Sequence, residues 1–208
     1  MSAYIYIEGG ATGAGSRDLN LRCQQAFHKL LVRMGFKGRL PRLWACGGRN
    51  SVFNDFVNHH SSNTEDYVAM WIDSEEPMAN PDEAWEHLCT VTTVPQWEKP
   101  QGAENDQVLF MTICKETWIV ANREVLREHY GHKLQDTALP PLVRLEGRGR
   151  HDVQDKLDHA TRHCSNSYKK GKRSFEILGK LTPATLENHL PSFGRVRRIL
   201  TEKLCFDR

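Results

Sequence analysis

The sequence predicts an α/β fold in which a doubly wound, mainly parallel sheet is followed by a helical C-terminal extension. Three observations favour this fold class. Short apolar runs rich in β-branched and aromatic residues, typical of buried strands, recur three times in the first 75 residues. Segments with the apolar spacing of helices separate these runs, so the chain opens as β-α-β-α-β. Toward the C-terminus, only helical patterns follow.

The predicted elements follow one another at the spacing of βαβ units. Strands are expected over residues 4–7, 43–46, 67–72 and 108–114, with a buried helix as the alternative for the last run. Helices are expected over residues 19–34, 52–57, 81–88, 122–131, 152–164, 173–181, 183–190 and 192–205. Proline and glycine interrupt residues 132–150. We therefore divide the chain into an α/β core over residues 1–140 and a basic helical extension over 141–208, packed on that core.

Composition limits the class of protein. A chain of 208 residues suits one domain and is long enough to bury a full core. The sequence has no apolar run of membrane-spanning length and no signal-peptide pattern, so we expect a cytoplasmic protein that does not enter a membrane. Its six cysteines are scattered without paired spacing, which argues against a zinc knuckle and fits reduced thiols.

The third predicted strand ends in two acidic residues. Asp73 and Glu75 follow its apolar run, and the two-residue period of a strand sends both side chains the same way. Two converging carboxylates repel each other unless a hard divalent cation lies between them. The alternative is a solvated turn, because Asp-Ser-Glu-Glu-Pro is also a good turn sequence.

A third acid, Glu8, ends the first predicted strand. Open α/β sheets bind ligands at the carboxyl ends of their strands, so Glu8 can share one crevice with Asp73 and Glu75. Asp106 and Glu116 flank the fourth predicted strand and are further candidate ligands. Oxygen ligands without a His–Cys cluster indicate Mg²⁺ or Mn²⁺ rather than zinc, and such sites commonly serve phosphodiester chemistry. The glycine-rich loop after Glu8 lacks the lysine of a P-loop, which argues against a nucleoside triphosphatase.

The extension differs from the core in charge. Residues 1–140 hold 13 Lys and Arg against 18 Asp and Glu, whereas residues 141–208 hold 15 against 8. A basic loop with a tyrosine precedes one predicted helix of the extension and suits phosphate contacts and base stacking; a solubilising loop is the alternative. Arg49 follows the second predicted strand and suits a phosphate contact or, alternatively, a surface ion pair. The candidate nucleic-acid-binding residues are Arg49, Tyr168, Lys169, Lys170, Lys172 and Arg173.

Four sequence blocks together resemble a known family. They are YIEGG, WIDSEEP, the NDQVLFMTICKETW block of residues 105–118 and the SYKKGKRSFEILGKL block of residues 167–181. A glutamate followed by glycines after the first strand, with Asp-x-acid after a later one, is similar to the Toprim domain of topoisomerases, primases and overcoming-lysogenization-defect-type nucleases. The four blocks are more specifically similar to a bacterial Toprim-like family of unknown function. Glu75 stands where Toprim domains carry a second aspartate, and its longer side chain can still reach a metal.

The resemblance implies a Toprim-like fold and Mg²⁺- or Mn²⁺-dependent cleavage of nucleic acid. It implies that Glu8 is a general acid/base or a metal ligand, and that Asp73 and Glu75 bind metal. Relatives of this kind are encoded beside an ABC/SMC-like ATPase in anti-phage loci, so it also implies an ATPase partner. A homo-oligomer is compatible with these expectations. Two other functions stay open: a non-catalytic metal-binding or regulatory subunit of such an ATPase, and a phosphotransferase or nucleotidyl transferase that uses the same acids.

Overall fold

A computed structural model describes residues 2–13, 15–62 and 65–205 of the protein, and these residues form an α/β fold. Its strands form a four-stranded, all-parallel sheet in the order β2-β1-β3-β4 within the described part of the chain. The strands are β1 (Ala3–Glu8), β2 (Arg42–Gly47), β3 (Tyr67–Asp73) and β4 (Val108–Met111). The prediction of an α/β fold with a parallel sheet is therefore confirmed, and the fourth apolar run begins as a strand rather than a helix.

Helices connect and follow the strands. They are α1 (Arg17–Leu31), α2 (Arg49–Ser62), α3 (Ala84–Thr90), α4 (Lys115–Ala121), α5 (Arg123–Tyr130), α6 (Arg150–Thr161), α7 (Lys172–Leu178), α8 (Pro183–His189) and α9 (Pro191–Leu204). Helix α4 was not predicted, because every residue from Glu116 to Ala121 is buried and the segment has no polar face to mark a helical period. Asn122 caps α5, since its side chain accepts a hydrogen bond from the Val125 backbone N–H.

The central strand β3 has helices on both faces. All of its residues are buried, which accounts for its continuous apolar run. On one face, Trp71 meets Phe27 of α1 with a ring-centroid distance of 4.8 Å. On the other face, Met70 packs in a separate apolar cluster with Phe56 of α2 and Trp85 of α3. The sheet is thus wound on both sides, and side chains at its ends are positioned by a rigid, packed core.

The helices after residue 141 share the core of the α/β part. Leu157, Phe175 and Phe193 belong to the same buried cluster as Ile5 and Trp71. The ring of Phe193 meets Trp118 of α4 at a centroid distance of 4.9 Å. The C-terminal helices therefore bring side chains to the rim of the sheet. No helix in the described residues is both long enough and apolar enough to cross a membrane.

Candidate metal centre

Three carboxylates meet where β1 and β3 end. The two strands are neighbours and run parallel, with Ile7 opposite Trp71, so Glu8 and Asp73 leave the sheet side by side. Glu8 Oε2 accepts a hydrogen bond from the Asp73 backbone N–H at 3.1 Å. One carboxylate oxygen from each of Glu8, Asp73 and Glu75 lies within 4.8 Å of the others. This spacing lets one divalent cation contact all three, and we call these residues the acid cluster.

The backbone turns sharply to bring Glu75 into the acid cluster. Glu75 has a φ of 69°, in the left-handed region that residues other than glycine seldom adopt. Its N–H donates to the Ile113 carbonyl oxygen at 3.0 Å, and the Ser74 hydroxyl donates to the Glu76 carbonyl oxygen at 2.9 Å. The conformation is therefore held from two sides. Strained backbone of this kind is concentrated at functional sites.

Glycines close the loop beyond Glu8. Gly10 has a φ of +89°, and a Cβ atom there would lie 2.1 Å from Asn20 Oδ1, which accepts a hydrogen bond from the Ala11 N–H. Gly47 at the end of β2 has a φ of +81°, and a Cβ there would lie 2.8 Å from Thr12 Cγ2. Only glycine combines these conformations with such close approaches. The loop is thereby held tightly against the end of β1 that carries Glu8.

The acid cluster is electrostatically unfavourable without a cation. Burial, with the neighbouring Glu8 carboxylate adding to it, raises the pKa of Asp73 to about 7. Burial also raises the pKa of Glu8, although a backbone hydrogen bond from Asp73 and the charge of Arg49 oppose it. A divalent cation would stabilise the ionised form of both groups. The cluster therefore has the electrostatic character of a cation site.

Arg150 is a site residue that the sequence reasoning missed. It is the first residue of α6, and its Nη1 contacts the Glu75 carboxylate while its Nη2 lies 3.8 Å from Asp73 Oδ2. The Lys115 backbone N–H adds a hydrogen bond to Asp73 Oδ1 at 3.0 Å. Arg150 is 77 residues after Asp73 in the chain. The only signal for it was its place in the basic extension, two residues before the predicted helix over residues 152–164.

Arg49 lies beside the acid cluster and not on the surface. Its exposed fraction is 8%, and its Nη1 donates to the Asp73 carbonyl oxygen at 3.0 Å. The guanidinium stacks over the Trp97 ring, 4.2 Å from the ring centroid. Its Nε and Nη2 atoms are buried and have no hydrogen-bond partner among the described residues. The alternative of a surface ion pair is wrong, and two N–H groups remain for a ligand.

Asp106 lies at the opposite edge of the sheet. It belongs to a short turn, Asn105–Gln107, that precedes β4, and β4 runs parallel to β3. Its carbonyl oxygen accepts a hydrogen bond from the hydroxyl of Tyr67, the first residue of β3, and its carboxylate lies 2.6 Å from Lys203 Nζ. The prediction that Asp106 binds the metal is therefore wrong. An acid that comes before a parallel strand cannot meet acids that come after its neighbours.

Glu116 is close to the acid cluster but outside it. The carboxylate is fully buried, accepts a hydrogen bond from the Tyr168 hydroxyl and lies 3.6 Å from Lys115 Nζ. Burial alone would raise the pKa of Glu116, but Lys115 and Tyr168 together hold it below its ordinary value. Glu116 is thus already neutralised by the chain, and the prediction that it binds the metal is not supported by this geometry.

The basic loop divides into exposed and structural residues. Lys169, Lys170 and Lys172 are exposed, as phosphate contacts require. Tyr168 is only 6% exposed and is held by Glu116, so the prediction that it stacks on a base is wrong. Arg173 is half-buried and donates to the Ser167 carbonyl oxygen, so it fixes the loop instead of facing a ligand. Of the five candidate residues in this loop, the three lysines remain available for nucleic acid.

Comparison with known proteins does not extend this description. No family model matches the chain, no curated protein matches it, and no solved structure matches it. The features that bear on function are therefore the acid cluster, Arg49 and Arg150 beside it, and the three exposed lysines of the basic loop. These features are local, and each of them can be tested by single substitutions.

Proposed function

We propose that this chain is a Mg²⁺-dependent, Toprim-like nuclease that hydrolyses phosphodiester bonds of DNA or RNA in the cytoplasm. The observation that carries the proposal is the convergence of Glu8, Asp73 and Glu75 within 4.8 Å at the carboxyl ends of adjacent parallel strands. Its ligand atoms are all carboxylate oxygens, which suit Mg²⁺ or Mn²⁺. A metal bound there would supply Lewis-acid stabilisation of charge on the phosphate and activation of a water molecule.

The chain itself supplies a proton acceptor and phosphate-binding groups. Glu8 is half-buried and its pKa is raised, which suits a residue that exchanges a proton during hydrolysis. The Nε and Nη2 atoms of Arg49 lack hydrogen-bond partners among the described residues and suit a non-bridging phosphate oxygen, because donation to it would satisfy buried N–H groups. Arg150 reaches the same place from α6 and adds positive charge beside the developing negative charge.

The proposal extends to a partner. The sequence resemblance supports an ABC/SMC-like ATPase as the subunit that gates the nuclease, in an anti-phage defence system. In that arrangement the chain described here would be the effector that cuts nucleic acid. Addition of the ATPase with ATP would then increase the cleavage rate of the chain without changing its metal requirement.

A cleavage assay tests the proposal. Purified protein is incubated with plasmid, single-stranded DNA and tRNA, in Mn²⁺ or Mg²⁺ and then in EDTA. We expect cleavage that EDTA abolishes and that Glu8→Gln reduces by at least a factor of about 100, since removal of one group acting on the transition state costs that much. Glu98→Gln removes an exposed carboxylate that is not part of the acid cluster, and this variant should cleave nucleic acid like the wild type. Undiminished cleavage by correctly folded Glu8→Gln would refute the assignment.

One observation favours a second function, a non-catalytic regulatory subunit of the same ATPase. Arg150 contacts Glu75 and lies 3.8 Å from Asp73, so the chain itself provides a cation at the acid cluster. A site that is neutralised in this way can be structural. Calorimetric titration with Mn²⁺ separates the two functions. Absence of both Mn²⁺ binding and cleavage, with and without the ATPase, would favour the regulatory subunit.

A further inference from the structure

A basic groove of about 340 Å³ lies between helices α1 and α7. Four of its ten lining residues are lysine or arginine and one is an acid, which gives the groove a strong positive potential. The four cations are Arg22 and Lys29 from α1, and Lys172 and Lys180 from the start of α7 and the turn after it. Of these, only Lys172 was singled out by its sequence context.

The cations of this groove are available to a ligand. Arg22 pairs with Asp18, but no carboxylate of the described residues lies within ion-pair distance of Lys29, Lys172 or Lys180. Lys29 and Lys180 are exposed, and the two helices are so close that a Cβ at Gly179 would lie 3.3 Å from Lys29 Cδ. Packing of α7 on α1 thus concentrates positive charge that neither helix carries alone.

One lining residue of the groove packs against the loop that follows Glu8. Its floor includes Phe175, whose ring tip would lie 3.2 Å from a Cβ atom at Gly9. Gly9 directly follows Glu8 in the chain. From Arg22 to Lys29 the groove follows about 10 Å of helix at 1.5 Å per residue. That length matches about three phosphate-to-phosphate steps of one strand of a duplex, at about 3.4 Å per step along the axis.

We infer that the groove between α1 and α7 binds the sugar–phosphate backbone of nucleic acid next to the acid cluster. Lys29 and Lys180 contact phosphates there, together with Lys172. The inference depends on the proposed nuclease function for its purpose, because it assigns a path to the same substrate. The excess of positive charge along the groove favours a polyanion as its ligand, and the packing of Phe175 on Gly9 places the groove on the side of the sheet end that carries Glu8.

Binding of a labelled oligonucleotide tests the groove without any chemistry. The probe is a fluorescein-labelled single-stranded DNA of about 15 nucleotides, a length within the site sizes of strand-binding grooves. Its anisotropy is followed in EDTA over a range of salt concentrations. For Lys29→Gln/Lys180→Gln we expect about tenfold weaker binding at low salt. We also expect a log–log salt dependence shallower by about 1.4, since each lost phosphate contact removes about 0.7 for a single strand.

A matched variant controls for net charge. Lys37→Gln/Lys99→Gln removes the same charge from exposed lysines outside the groove and should bind like the wild type. The single variants Lys29→Gln and Lys180→Gln should each give about half of the loss in slope. Equal affinity of the two double variants would overturn the inference, as would a wild-type chain that binds neither the oligonucleotide nor its duplex. Because EDTA prevents cleavage, a failure of the nuclease proposal would leave this measurement unaffected.

Discussion

Acidic residues at the two edges of the sheet have different neighbours. At the amino edge, two acids face basic side chains of α9: Asp106 lies 2.6 Å from Lys203, and Asp82 lies 2.6 Å from Arg198. At the carboxyl edge, Glu8 and Asp73 face each other, and their pKa values are raised. Acids paired with basic side chains are already neutralised, whereas carboxylates that face one another favour a bound cation.

The largest change in unfolding free energy is expected for Glu116, an acid of the carboxyl edge that is paired with basic and hydroxyl groups. Glu116 is as buried as Asp73 but is paired with Lys115 and Tyr168. Glu116→Gln should destabilise the fold by about 3 kcal/mol, because it leaves the largely buried Lys115 ammonium without its partner. Urea unfolding measures the change, with Glu83→Gln, an exposed acid, as the control. An unchanged midpoint would mean that Lys115 is neutralised by Asp73 instead.

Asp73→Asn, unlike Glu116→Gln, is expected to stabilise the fold at neutral and alkaline pH. A carboxyl group whose pKa is raised in the folded state contributes stability below its ordinary pKa of 3.8, and that contribution is lost as the pH rises through about 7. Asparagine avoids this loss and can still accept the Lys115 N–H. We therefore expect Asp73→Asn to be more stable than the wild type by on the order of 2 kcal/mol at pH 8 in EDTA.

Thermal unfolding at two pH values checks whether Asp73→Asn is more stable than the wild type. At pH 8 the melting temperature of Asp73→Asn should exceed that of the wild type by roughly 4–8 °C, and the difference should nearly vanish at pH 4. Saturating Mn²⁺ should reverse the order at pH 8, because only the wild type keeps the full acid cluster. A melting temperature lower than that of the wild type at pH 8 in EDTA would show that Arg150 and Lys115 already neutralise Asp73.

The smallest effect is expected at the amino edge. Asp106→Asn removes a partly exposed ion pair with Lys203, which is worth about 0.5 kcal/mol or less. The affinity of the Asp106→Asn variant for Mn²⁺, measured by calorimetric titration, should equal that of the wild type. The Asp73→Asn variant should lose most of its affinity for Mn²⁺. A substantial loss of Mn²⁺ affinity in Asp106→Asn would contradict the conclusion that only acids of the carboxyl edge bind the metal.

Strand direction explains why some site residues were predicted and others were not. Glu8 and Asp73 follow their strands, so a parallel sheet was enough to place them at one edge. Asp106 precedes β4, and the same reasoning applied to its position would have excluded it. Tyr168 looked like a stacking residue because its sequence neighbours are basic. Its burial against Glu116 depends on how α6 and α7 pack on α4, which no local pattern reports.

The sequence by itself determined the parallel α/β sheet, because strand and helix periods and strand-end residues are local properties of the chain. It also determined that three acids end two strands of that sheet. Only the tertiary structure decided which cations lie beside them. Arg150 comes from α6 and Arg49 is buried under Trp97, while the groove between α1 and α7 combines lysines about 150 residues apart. Such contacts follow from the packing of distant elements, where small differences in position decide which charges meet.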